Sequence, residues 1–416
     1  MTMIERNLNT LMAIAALFIL IAASAAVAEE YAQPPIILKA SNVLSKDQIN
    51  GVNYKVDGKV INDGLINTYQ IKTDYGTITA EGTTELMIRI NEMKALKIME
   101  KIERSGIFGE SLVKGVKAPV KGAVALVTSP VETGEKVVKG AGQFMSNIGH
   151  SIVSDDPNQD NVFKVAVGYD VAKRQFAYEF GISPYSDNAP VMGRLGEIAR
   201  AAVAGGIVPK AAMAAADSDL VTGMKITGAA KGMKELVRDN PPGKLADINR
   251  SKLQKMGLSS ALTEAFMDNY SYDPQEKTLL IGELETMKGV KGRALMIAKA
   301  NLASERSVAL YNRLIAAMMA GYNVNVTAVD AIQQSAGIIY LTNKKGDLIL
   351  LAPVDHLFWT KKLSDKLDKF EASANKNNGS TKKELWVTGK LDKSSRSRFK
   401  AKGWKIKENA GKVLLK

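Results

Sequence analysis

Over residues 83–320 apolar side chains recur at spacings of three and four, and at both ends of that stretch the helical period gives way to short runs set off by turn dipeptides. A chain so patterned has to pack a helical body against β elements drawn from its two ends. At the first end, Val52 to Ala80 reads as strands separated by Asp57-Gly58, Asp63-Gly64 and Tyr75-Gly76, with alternation in Leu65-Ile66-Asn67-Thr68-Tyr69-Gln70-Ile71. A helix follows, with Leu86, Ile90, Met93, Leu96 and Ile102 on one stripe, Thr83 or Thr84 as its cap and Gly106 as its stop. At the other end, residues 336–341 and 347–351 flank Asn343-Lys344-Lys345-Gly346 as a hairpin.

Beyond a polar linker at 375–381, the pattern is a strand at Leu385-Trp386-Val387, a helix from Lys393 to Lys402 capped by Asp392, a strand at Trp404-Lys405-Ile406, and a last strand at 413–415. Strand, crossover helix and strand make a parallel pair. Two or three strands seldom stand alone, so this unit is expected to pair with the hairpin. The fold class is α+β, mainly α-helical, with an N-terminal β-hairpin element, a central helical region and a small C-terminal β/βαβ part. Its segments are a signal peptide (1–28), an N-terminal β-rich segment (29–82), amphipathic helices with a Val/Gly/Lys tract (83–153), a helical domain (154–330), a β-hairpin (331–359) and a basic βαβ segment (360–416).

Residues 1–28 have the form of a secretory signal: Glu5 and Arg6, an apolar run from Leu11 to Ala23, then the small-residue end Ala26-Val27-Ala28 before Glu29-Glu30. The alternative is an uncleaved helical anchor, since Leu11 to Ala28 is just long enough to span a bilayer. The chain has no cysteine, which removes lipoprotein attachment, disulfides and the ordinary structural zinc patterns. Export without cysteine points to the bacterial envelope, periplasmic or secreted, where nucleotide cofactors and nucleic acid are not the expected partners. Of the net charge of +13, residues 361–416 account for most, with 17 Lys or Arg against 6 Asp or Glu.

Gly181-Ile182-Ser183-Pro184-Tyr185, Asn240-Pro241-Pro242, Pro353-Val354-Asp355, and Leu385-Trp386-Val387-Thr388-Gly389 with Gly403-Trp404 together resemble a family of exported proteobacterial proteins of no assigned activity. The resemblance covers most of the chain after the signal. It implies export and one continuous architecture, and no activity.

Catalytic patterns are thin. Ser111-Leu112-Val113-Lys114 has the S-x-x-K form of penicillin-recognising enzymes, and Ser186-Asp187-Asn188 the S-D-N form, but no Lys-Thr-Gly follows. His356 beside Asp355 is a possible general base, with a packed histidine as the plainer reading. Asp156, Asn158 and Asp160 start a calcium-loop spacing that fails at its twelfth position, Val167. The basic tail offers Lys393, Arg396, Arg398, Lys400, Lys402 and Lys405 to an anionic envelope component or a membrane surface. Residues 107–153 offer a second membrane-facing candidate, with lysines on helices that carry apolar positions 11 apart. No cofactor is expected, and the function is read as binding or structural association, with a hydrolase of envelope material as the alternative.

Overall fold

The computed structural model describes residues 31–104, 168–205, 230–378 and 382–415. The signal segment, the 107–153 tract, Ser111, Lys114 and the Asp156–Asp160 loop lie outside the described residues. The fold is α+β and mainly helical, with fourteen helices among the described residues. None of these helices is long and apolar enough to cross a membrane.

The N-terminal sheet is built on β5 (Asn67–Thr73), which pairs antiparallel with β6 (Gly76–Glu81) along one edge. Its other edge is shared by β3 (Tyr54–Val56) and β4 (Lys59–Asn62), extended by β2 (Asn50–Gly51) and β1 (Ile36–Lys39). Two single-turn helices, α1 (Ala40–Val43) and α2 (Lys46–Ile49), lie between β1 and β2. Tyr69 and Ile71 point inward from β5 and are fully buried. They meet Leu86, Ile90, Met93 and Leu96 of α3 (Thr83–Arg104), and α4 (Tyr169–Glu179) and α5 (Ala189–Gly205) complete this core through Phe176, Phe180 and Leu195. The helix expected after residue 83 is thus present, but neither threonine caps it. Thr83 Oγ1 bonds the Tyr69 hydroxyl at 2.8 Å, and the Thr83 N–H donates to Asp355, far away in sequence.

A second core joins α7 (Pro242–Lys255), α8 (Ser260–Met267), α9 (Pro274–Thr286), α10 (Arg293–Ala300) and α11 (Arg306–Asn325). The short α6 (Ala230–Asp239) packs on α4 and α9. Its approach to α9 needs Gly282, where an added Cβ would stand 1.8 Å from Met233 Sδ. Gly282→Ala is expected to cost about 1 kcal/mol, because a flexible thioether can turn aside but α6 must shift with it; a thermal melt equal to wild type would show that the contact is slack.

The C-terminal sheet runs β13-β11-β9-β8-β7, comprising Trp404–Lys407, Lys383–Val387, Leu348–Ala352, Ile338–Asn343 and Val329–Ser335. The expected pairing of the terminal strands with the hairpin occurs: β11 lies parallel to β9 on one side and to β13 on the other. One face, with Ile349, Leu351 and Trp386, belongs to the helical core, and the other, with Leu348, Leu350 and Leu385, meets Leu367, Phe370, Phe399 and Trp359. Burial on both faces explains why β9 reads as an uninterrupted apolar run.

The parallel β9–β11 pair requires a crossover, supplied by α12 (Lys361–Asn378), with β10 (His356–Leu357) before it. The 375–381 stretch, read as a linker, therefore begins as the last turn of this helix. After β12 (Lys390–Leu391), α13 (Lys393–Ala401) is capped by Asp392, whose carboxylate accepts from Ser394 N and Ser395 N at 3.1 and 2.9 Å. The expected last strand at 413–415 is instead a helical turn, α14 (Gly411–Leu414). Leu414 is buried on α11, and Gly321 there leaves no room for a Cβ beside the Leu414 carbonyl.

Candidate functional site

The sequence candidates Asp355 and His356 are adjacent but do not form an acid–base pair. Asp355 Oδ2 accepts from Asn67 N at 2.8 Å and Oδ1 from Thr83 N at 3.0 Å, so both oxygens are spent on joining β5 and the start of α3 to the C-terminal half. Burial nonetheless raises the Asp355 carboxyl above the usual aspartate value. The His356 ring stacks on Phe358 with centroids 4.4 Å apart, and burial lowers its pKa. This is the packed histidine of the plainer reading.

The basic candidates divide in two. Arg396 pairs with Glu408 at 2.9 Å and donates to the Leu391 carbonyl, Lys402 pairs with Asp368 at 2.5 Å, and Arg398 lies 6.0 Å from the Trp359 ring centroid. Lys393, Lys400 and Lys405 are exposed. Half of the proposed contact set is therefore committed to the protein itself.

A different constellation assembles where the N-terminal core meets the helical one. A cleft of about 240 Å³ is lined by α3, α4, α6, α9, α11 and the loop Gly181-Ile182-Ser183-Pro184. Asp273-Pro274 opens α9: Asp273 Oδ1 caps the helix by accepting from Glu276 N at 2.8 Å, with proline at the first helical position. This capping throws the Asp273 and Glu276 carboxyls together. Both residues are more than nine-tenths buried, and Asp273 Oδ2 and Glu276 Oε2 make no hydrogen bond.

Arg306, in the first turn of α11, faces them at 3.9 Å from Asp273 Oδ2 and 3.6 Å from Glu276 Oε1. It also lies 3.9 Å from Asp187 Oδ2, and Asp187 takes a two-pronged bond from Arg89 at 2.6 and 3.1 Å. Arg89 in turn reaches Glu85 and Glu92, and Glu92 accepts from Asn188. A chain of charges thus runs from α3 through the 183–188 loop to α11 and α9. Burial raises the carboxyls of both Asp273 and Glu276, and the pair's mutual repulsion adds to the rise on Glu276. Two such groups cannot both ionise cheaply.

On the opposite wall Arg174 donates to the Arg238 carbonyl, and Arg238 is held by Asp239 at 2.7 Å. Lys234 and Arg313 are different. Among the described residues neither enters a hydrogen bond or an ion pair, and burial, with repulsion from Arg313, lowers the Lys234 pKa. The sequence reading missed all five of Lys234, Asp273, Glu276, Arg306 and Arg313. The available signal was spacing: Arg306 and Arg313 are seven apart on one helix, as are Glu276 and Glu283 on its neighbour.

Among the described residues no group of three or more acidic or histidine side chains is placed to hold a metal ion. No family model matches the chain, nor does any curated protein or solved structure.

Proposed function

We propose that this protein is an exported component of the bacterial cell envelope that acts by binding, and that the α6–α9–α11 cleft takes a small ligand bearing a carboxylate or phosphate. Export is supported by the signal pattern of residues 1–28 and by the resemblance to exported proteobacterial proteins. The observation that carries the binding reading is the pair Lys234 and Arg313, two cations lining the cleft that repel each other and that enter no hydrogen bond or ion pair among the described residues, although Arg313 also attracts the buried carboxyls of Asp273, Glu276 and Glu283. An anion between them relieves their repulsion and satisfies their donors. Burial disfavours the charged forms of Asp273 and Glu276, which reduces the competing negative charge in the cleft.

Inorganic phosphate and succinate, titrated separately, are expected to raise the melting temperature by mass action. The double substitution Lys234→Met, Arg313→Met is expected to weaken binding by about ten- to a hundredfold, from the worth of hydrogen bonds to charged groups. A melting shift absent in the wild type, or unchanged in the variant, refutes the reading. For location, the envelope fraction should yield a chain starting at Glu29.

A second reading, hydrolysis of envelope material, has one observation in its favour. Glu276 is raised in a cleft beside a second carboxyl, as a general acid requires. Product release from purified peptidoglycan that Glu276→Gln abolishes would establish it.

A further inference from the structure

Tyr270 and Leu302 are the most exposed large apolar side chains among the described residues, at 87% and 81% of their full accessibility. Their exposure is built in. Tyr270 sits between Asn269 and Ser271, and Leu302 between Asn301 and Ala303. These neighbours are tied to one another: Asn269 Nδ2 donates to the Asn301 and Ala303 carbonyls at 3.1 and 3.0 Å, and Ser271 Oγ to the Ala303 carbonyl at 3.1 Å. The Tyr272 hydroxyl adds a bond to the Ala300 carbonyl at 3.0 Å. Two loops are thereby clamped with one apolar side chain projecting from each.

The ground on the Leu302 side is basic, while Asp247 and Asp268 stand with Arg250 and Lys277 in the pocket beside Tyr270. Leu302 N–H closes a turn on the Lys299 carbonyl at 3.1 Å. Lys299 is near enough to Lys366 of α12 for the two ammonium groups to repel. Lys362, Lys366 and Lys369 stand at i, i+4 and i+7 on that helix and are exposed, while Leu367, Phe370 and Ala374 on its other side are buried. The helix's acids are committed elsewhere: Asp365 to Lys361, and Asp368 and Glu371 to Lys402. Among the described residues Lys299, Lys362, Lys366 and Lys369 enter no ion pair.

We infer that Tyr270 and Leu302, flanked by Lys299, Lys362, Lys366 and Lys369, dock this protein onto an anionic lipid bilayer. Charge selects the surface, since lysines near anionic headgroups are attracted individually and without fixed geometry. Shape selects lipid over protein. A protein partner needs a broad packed core, whereas two protruding side chains suit the interface, where tyrosine places its ring among acyl chains and its hydroxyl among headgroups. This surface shares no residue with the cleft or with the lysines of α13.

The test is flotation of the chain from Glu29, which holds every described residue, with vesicles of phosphatidylethanolamine and phosphatidylglycerol and with vesicles of phosphatidylcholine alone. Binding is expected to the anionic vesicles only and to fall with salt. Lys362→Glu, Lys366→Glu, Lys369→Glu together should weaken partitioning at least about tenfold, and Tyr270→Ser with Leu302→Ser by about tenfold. All five positions are exposed, so the variants should melt with the wild type, and each set tests the surface independently of the other. No flotation of the wild type, or flotation that survives both sets, overturns the inference. So does a sedimentation velocity change from dimer to monomer in the Tyr270/Leu302 variant, which would give the patch to a second copy of the chain.

Discussion

Asp355→Ala is expected to lower the unfolding free energy by about 2 kcal/mol, from two N–H groups left without acceptors in a partly buried seam at about 1–3 kcal/mol each when water is excluded. The carboxylate joins three elements distant in sequence: it accepts from Asn67 on β5 and from Thr83 at the start of α3, while its own backbone stands in the loop between β9 and β10. The segment 355–358 is bonded to the turn between β4 and β5, with Asp355 N donating to the Leu65 carbonyl at 3.0 Å, Phe358 N to the Gly64 carbonyl at 2.8 Å, and Asn62 Nδ2 to the His356 carbonyl at 3.2 Å. At the N-terminus of α3 the negative charge also meets the positive end of the helix. Asp355→Asn keeps one acceptor and sheds the cost of burying a charge, so it should lose less than half as much. Urea denaturation of the two variants separates the cases. If Asp355→Ala unfolds at the wild-type midpoint, the seam is held by the backbone bonds alone.

The second large effect is a gain. Glu283, on the same face of α9 as Glu276, is buried, and burial pushes its carboxyl from 4.5 to about 7 against the attraction of Arg313. Because the folded-state value is the higher one, the stability contributed by the neutral form is fully present below about pH 4.5 and is lost as pH rises through about 7. Glu283→Gln removes the ionisation and keeps the shape. It should leave stability at pH 4 unchanged and raise it at pH 8 by roughly 2–3 kcal/mol. Glu276→Gln shifts in the same direction by less, because the charged form it removes also faces Arg306. Melting curves across pH 4 to 8 read both, and an unflattened profile in Glu283→Gln would mean that this carboxyl is charged in the fold at neutral pH.

The sequence carried the local structure well wherever the pattern is set by neighbours along the chain. The Asp-Gly turns placed the N-terminal strands, the three-and-four spacing placed α3, and Asp392 capped α13 as expected. It carried less where a polar run hid a helix. In residues 361–374 the inward side chains are Leu363, Ser364, Leu367, Phe370 and Ala374, and the lysines and aspartates between them conceal the period that makes α12 the crossover.

What the sequence by itself determined is the class of fold, the pairing of its terminal strands with the hairpin, and a signal-like start, because each follows from periodicity or from contiguous residues. What only the tertiary structure decided is which charges matter. Asp355 bonds with both oxygens to backbone on β5 and α3, and Arg396 and Lys402 pair with acids brought from other elements. The cleft arises in the same way: Lys234, Asp273, Glu276, Arg306 and Arg313 lie on three helices, and a charge is costly or useful according to what packing places beside it and how much water it keeps.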